Sequence, residues 1–380
     1  MNNEITKGSS DVVIPEGTVT VKEEYRSSLL SVTIPQSVKF ITPLSFSKAL
    51  SLRDVRFDGT IEDWCRISLA FSPMEYASHF YMKNSSDEYE EATSLDISSG
   101  ISSIGFQQFK GFRNIRSVNI HEGVTDIEAK AFEDCFSLSL ISLPASLEHI
   151  GDDVFKNCNS LHFNEYQGGY YLGNKENPYL VLVRIKTGNI TELKISSRTR
   201  FILDHAFADG KDLRSVTLPL SITHIGYAAF ASCYSLHAVY YEGTADDWLK
   251  VNNEADFSLV SHIFMKDKKG NYQEVTSFKA DNELSFIGPS QFLGFKSLVS
   301  VIIPSSVQYI DDSAFAGCRQ LTSVTLPESL KGIEEDAFFN CTSLKQVLYC
   351  GNKEEWEKIK IGEVTTVFLR LIFIFSPVEA

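Results

Sequence analysis

No apolar run in this 380-residue sequence reaches the ~20 residues that a helix needs to cross a bilayer, so no membrane span is expected. Basic charge is short as well: 35 Lys and Arg stand against 49 Asp and Glu, a net charge of −14. Phosphate contacts need clustered Lys and Arg, so nucleic acid is not an expected partner. Seven cysteines are present, but none are spaced C-x-x-C, the spacing that would mark a metal site. G-x-S-x-G, H-E-x-x-H, phosphate-loop and dinucleotide fingerprints are missing too. The eight His are scattered: His121 and His162 lie near expected strands, and His149, His205 and His224 fall in expected loops or turns. His79 and His262 occupy one repeated position. The expectation is a protein with no catalytic residues, no cofactor and no metal. The opening residues MNNEITKGSSDVVIPEG lack the basic and apolar regions of a signal peptide.

What the chain does have is a repeat. Leu321 to Ser343, LTSVTLPESLKGIEEDAFFNCTS, carries apolar residues at positions 1, 4, 6, 10, 13, 17, 18 and 21 of 23. Units of this kind start at 29, 52, 92, 115, 138, 161, 190, 213, 236, 275, 298, 321 and 344. In the nine units free of insertions, position 13 is always Ile (41, 104, 127, 150, 202, 225, 287, 310, 333) and position 18 always Phe (46, 109, 132, 155, 207, 230, 292, 315, 338). A fixed period in the 20s is the mark of a solenoid.

The spacing dictates one coil. Positions 4 and 6 share a face of an extended segment, filled by β-formers such as Val216 and Leu218. Pro often follows at position 7 (Pro35, Pro144, Pro219, Pro304, Pro327) and ends the strand, because it cannot donate to a ladder. Gly, Asp and Ser at positions 14 to 16, as in Gly151-Asp152-Asp153, suit a turn and a helix N-cap. Positions 17, 18 and 21 would then share one face of a helical turn or two. So short a helix cannot stand alone, so each coil must hide its apolar side on its neighbours.

Five of the cysteines (Cys135, Cys158, Cys233, Cys318, Cys341) sit at position 21, a slot that holds Ala49 or Gly210 elsewhere. A slot of small residues is a tight core slot, and a free thiol fills it as a small hydrophobe. Cys65 and Cys350 lie off this ladder. The units at 52, 236 and 344 depart from the template with VRFDGTIEDWCRI, VYYEGTADDWLKV and VLYCGNKEEWEKI, which hold all three Trp of the chain (Trp64, Trp248, Trp356). Each Trp has an apolar partner three residues on (Ile67, Val251, Ile359), as a packed helix face requires. The Trp is read as a core anchor beneath a helix; the other reading is an aromatic that binds. The offsets 248 − 64 = 184 and 287 − 104 = 183 show a larger duplication, 29–160 against 213–343.

The expected organisation is therefore a disordered 1–10, then one solenoid over 11–375. Its parts are a cap (11–28), a first block (29–160), a connector (161–212), a second block (213–343) and a Trp-containing end (344–380). The connector carries two β-rich runs around a Gly173–Pro178 turn, read as a hairpin that either splices the blocks or presents Tyr170, Tyr171 and Tyr179 to a partner. The run Val367 to Phe375 reads as an uncapped apolar strand, an aggregation hazard unless it packs back or pairs with another chain.

Repeats of the form L-x-S-V-x-L-P-x-S-L-x-x-I-G-x-x-A-F-x-x-C-x-S, here LRSVTLPLSITHIGYAAFASCYS at Leu213 to Ser235, resemble the BspA-like leucine-rich repeat family. The Gly-Thr-x-x-x-Trp inserts and the Tyr-Leu-Gly-Asn-x-x-Asn-Pro-Tyr hairpin are similar to features of that family. The resemblance covers about 11–375. It implies a β-rich α/β fold: a leucine-rich-repeat solenoid of about 13 units of 23 residues, with a parallel sheet along one face. It also implies protein partners, among them host matrix or cell-surface proteins, and a cell-surface or secreted location.

Positions 3 and 5 point outward from the strand. Position 3 is a nearly constant Ser column (Ser31, Ser94, Ser117, Ser215, Ser277, Ser300, Ser323). Position 5 varies, and its Arg56, Asp96, Asn119, Lys194, Thr217, Tyr240, Lys279 and Thr325 are the candidate partner-binding face. Two function classes follow. One is an adhesin-like surface protein. The other is an intracellular scaffold or effector, which the unpaired cysteines favour, because secreted proteins usually pair theirs.

Overall fold

The structure, a computed structural model, describes residues 10–186, 188–208, 210–279, 284–362 and 372–375. The expected disordered segment lies outside the described residues but for Ser10, as do 367–371 of the expected terminal strand. The chain divides into two compact units, Met1–Asn164 with Leu172–Leu180, and Glu165–Tyr171 with Val181–Ala380.

Each unit is a β-solenoid with two parallel ladders. The front ladder takes the strands at positions 3 to 6. In the first unit it comprises Asp11–Val13, Ser31–Ile34, Asp54–Phe57 and His79–Lys83, closed by the antiparallel Tyr89–Glu91. A second sheet there holds Ser94–Ile97, Ser117–Ile120 and Leu140–Ser142. The second unit repeats the pattern, with Glu192–Lys194, Ser215–Leu218, Ala238–Tyr241 and His262–Lys266 closed by the antiparallel Tyr272–Glu274. Ser277–Lys279, Ser300–Ile302, Ser323–Leu326, Gln346–Tyr349 and Ile372–Phe375 follow as a fully parallel sheet. Ile372–Phe375 therefore extends the front ladder rather than standing apart from it.

The side ladder is made of two-residue strands at positions 12 and 13, the site of the invariant Ile. Ser103–Ile104, Asp126–Ile127 and His149–Ile150 stack in register in the first unit. His149 and His224 were expected in loops or turns, but both begin side strands, because the Ile that follows each is a core position.

The helical turn expected at positions 14 to 21 does not form. Residues at positions 16 and 20 take positive φ, as at Lys130 (61°) and Asp134 (62°), and Ser313 (55°) and Gly317 (72°). A left-handed residue every fourth position breaks the i to i−4 pattern of a helix. The amides are turned to the next coil instead: Lys130 N donates to Asp152 O (2.8 Å), Phe132 N to Val154 O (3.0 Å) and Asp134 N to Lys156 O (2.9 Å). The turns thus form a third line of coil-to-coil bonds.

Helices occur in the Trp inserts, where they replace the shorter turn between a front strand and the side strand that follows it: Ile61–Cys65, Ala245–Trp248 and Lys353–Trp356. Each begins with a capping box, from Thr60 and Asp63, Thr244 and Asp247, or Asn352 and Glu355.

The core lies between the ladders and the turns. Position-18 phenylalanines stack coil on coil: Phe109 on Phe132 at 5.3 Å in the first unit, and Phe292 on Phe315 at 5.1 Å and Phe315 on Phe338 at 5.2 Å in the second. Each buried ring contributes about 1.5–3 kcal/mol by area. The position-21 thiols are buried and donate to carbonyls of the preceding coil, as Cys135 Sγ does to Phe109 O (3.2 Å) and Cys341 Sγ to Phe315 O (3.1 Å). Trp64 and Trp248 are fully buried, which bears out their reading as core anchors, whereas Trp356 is half-buried.

Candidate functional site

Alternation along the front strands sends positions 3 and 5 outward, and the register lines them up across coils. In the first unit Arg56 lies between Thr33 and Tyr81, and Asp96 beside Asn119. In the second unit one row runs Lys194, Thr217, Tyr240, Phe264, and another runs Lys279, Ile302, Thr325, Leu348. The eight candidate residues thus fall in four short rows. Asp96, Asn119, Lys194 and Lys279 are exposed, and Arg56, Thr217, Tyr240 and Thr325 half-buried.

The densest chemistry gathers where an antiparallel strand closes a sheet. In the first unit the Arg56 guanidinium carbon sits 5.7 Å from the Tyr81 ring centre and 6.0 Å from that of Tyr89. Lys83 Nζ lies 5.7 Å over Tyr89 and 3.4 Å from Asp58 Oδ1, and Tyr89 Oη donates to the same oxygen at 2.6 Å. Burial, then the bond to Asp58, pushes the Tyr89 hydroxyl up to about 12. Cations over aromatic faces are pre-ordered without being desolvated.

The second unit has another version of this cluster. Tyr240 stacks on Phe264 at 4.9 Å and meets Tyr272 edge-on at 5.3 Å, with Lys266 Nζ 5.5 Å over Tyr272. Lys194 Nζ reaches Glu242 at 3.0 Å, and that bond holds its ammonium above the ordinary value. A third group is the exposed set Asp96, Asn119 and His121: Asp96 Oδ1 accepts from Asn119 Nδ2 and lies near His121 Nε2, each at 2.8 Å. Those two bonds lower the Asp96 carboxyl, Asn119 first.

The column analysis missed Tyr81, Tyr89, Phe264 and Tyr272, since they lie in the inserts rather than in the regular units. The recurrence of Tyr at 89 and 272, 183 residues apart like the Ile pair, is the signal that finds them. Of the hairpin tyrosines, Tyr171 offers no surface: it is fully buried, its ring packed against Gly169. Tyr170 and Tyr179 are half-buried, and the Arg184 guanidinium lies 5.2 Å over the Tyr170 ring. In the first unit the turn after the hairpin's first run is tied down: Asn174 Nδ2 donates to Leu143 O at 2.7 Å, and Leu143 N to Gly173 O at 3.1 Å. Among the described residues no three His, Cys, Asp or Glu come together as a metal set, and no helix is long and apolar enough to cross a membrane.

Residues 18–86, 81–170, 185–253 and 268–361 match the family described as BspA type leucine rich repeat region. Three solved structures are similar along most of their length. A leucine rich cell surface protein from Faecalibacterium prausnitzii is 23% identical, with 93% of this chain and 91% of that one covered and a TM-score of 0.33. A leucine-rich repeat protein from Bacteroides ovatus is 19% identical, with 96% and 91% covered and a TM-score of 0.35. The pneumococcal vaccine antigen PcpA is 13% identical, with 98% and 90% covered and a TM-score of 0.27. No curated protein matches.

Proposed function

The chain belongs to the BspA-type leucine-rich repeat family, and from that premise we propose that it is a non-enzymatic, protein-binding scaffold acting as an adhesin-like surface protein. Its front face would meet host matrix or cell-surface proteins. The observation that carries this reading is the pair of clusters at the closing strands, Arg56 with Tyr81 and Tyr89, and Tyr240 with Phe264 and Tyr272. Tyr and Arg held half-exposed and pre-ordered are what binding hot spots are built from, since little entropy is lost on docking.

An intracellular scaffold is the second reading, favoured by the seven free cysteines. Protease treatment of intact source cells, read with an antibody to this chain, separates the two. Loss of signal without lysis supports the surface role, and a signal lost only after lysis overturns it.

A further inference from the structure

In the first unit the side ladder skips a coil. The front ladder runs from Asp54–Phe57 to His79–Lys83 and then folds back through Tyr89–Glu91. The side ladder runs Thr20–Val21, Phe40–Ile41, Ser68–Leu69 and stops, and a new one begins at Ser103–Ile104. The coil that carries His79–Lys83 has no side strand, because its chain turns back before reaching that position.

The bonds elsewhere in the ladder define what is missing. Amides at positions 12 and 14 donate to carbonyls at 11 and 13 of the preceding coil, as Ser68 N does to Lys39 O (2.9 Å) and Ala70 N to Ile41 O (3.0 Å). Asp126 N to Ser102 O (3.2 Å) and Glu128 N to Ile104 O (2.9 Å) repeat it. At the gap the corresponding groups are the carbonyls of Ile67 and Leu69 and the amides of Ser103 and Gly105. Among the described residues none of these four has a protein partner. All four residues line one cavity of about 310 Å³, with Phe106 and Glu128 at its rim.

The second unit supplies an internal control. The offset of 184 carries Leu69 to position 253, and that of 183 carries Ser103 to 286. There side chains reach across the gap: Asn253, buried, donates through Nδ2 to Ser290 O at 2.8 Å, and Gln291 Nε2 caps Val251 O, one of the two equivalent carbonyls, at 3.2 Å. Leu69 has no polar atom with which to do the same. The first-unit gap therefore presents two acceptors on one side and two donors on the other.

We propose that this gap is a binding slot for an extended peptide segment of a partner protein, which enters as the missing side strand, parallel to Ser68–Leu69 and Ser103–Ile104. Main-chain bonds on both edges would supply affinity. Unpaired strand edges recruit strands from other chains, and here the recruitment is two-sided. The inference does not rest on the front-face clusters.

A library of random linear octapeptides displayed on phage, panned on the immobilised full chain, tests it. Enriched peptides are then titrated against wild type and two variants that borrow second-unit residues, Leu69→Asn and Ser103→Phe. Binding should weaken at least tenfold in each variant, with circular dichroism showing that each keeps the fold, and Lys345→Ala, exposed and outside the slot, should bind as wild type. Amide hydrogen exchange at Ser103 and Gly105 should be fast in the free chain and at least tenfold slower at saturation. Failure of any peptide to enrich over a blank surface overturns the proposal. So does wild-type affinity in both variants, or slow exchange of the Ser103 and Gly105 amides in the free chain, which would mean the slot is already filled.

Discussion

Trp64 and Gln108 bind each other twice: the indole Nε1 donates to the Gln108 carbonyl at 3.0 Å, and Gln108 Nε2 returns a bond to the Trp64 carbonyl at 2.5 Å. Trp248 and Gln291 repeat the exchange at 3.0 and 2.7 Å. Both Trp and both Gln are buried, so this pair is how the helix that replaces a turn is satisfied against the next regular coil.

Gln108→Ala removes one donor to the Trp64 carbonyl, which keeps the Ile67 amide at 3.0 Å, and empties the buried volume of the Gln side chain. The expected cost is about 1 kcal/mol, the net contribution of one buried hydrogen bond. Gln291→Ala should cost at least as much, since Gln291 also caps Val251. Equilibrium denaturation measures both, and a midpoint indistinguishable from wild type would contradict the account.

Six of the seven thiols are buried and Cys350 is exposed. At pH 8 a thiol reagent should label Cys350 quickly and the rest only on unfolding. Burial pushes Cys65 and Cys233 up from 9.0 to about 12. The folded state then holds these protons where the unfolded state releases them, so stability should fall as pH rises from 9.0 towards 12. Rapid labelling of a second thiol in the native chain, or stability flat across that window, would count against the thiol ladder.

Asp311 follows the same sign, with two neighbouring carboxylates added to burial. Burial, then Glu334 and Asp312, raises its carboxyl above 3.8. Its ionised form is therefore the unfavourable one in the fold, and the cost is relieved as pH falls through the raised value. Asp311→Asn should stabilise the chain by a few tenths to about 1 kcal/mol at pH 7, the scale of exposed charge pairs. The gain should vanish in acid, and thermal melts at pH 7 and pH 3 read both.

The Ile and Phe columns were legible because a core position admits few residues, and Ile127 or Phe132 must match the coils above and below. The Trp inserts were legible for the same reason. The turns were not. Asp153 and Ser313 look like helix caps by type, but coil-to-coil hydrogen bonds, which no local pattern displays, reward left-handed residues there instead. Nor was the core slot beside each Trp visible from the cysteines, since Phe112 and Phe295 fill it, 5.9 Å from Trp64 and 5.7 Å from Trp248. At the candidate site the columns found Arg56 and Tyr240 but not the rings they rest on, which arrive from the closing strands.

The most direct test of the central claim is binding of the full chain to a panel of immobilised extracellular matrix proteins, for wild type and an Arg56→Ala, Tyr240→Ala double variant. The account predicts micromolar or tighter binding to at least one protein, weakened tenfold or more in the variant with the fold intact. Binding to none, or equal binding by the variant, would contradict it.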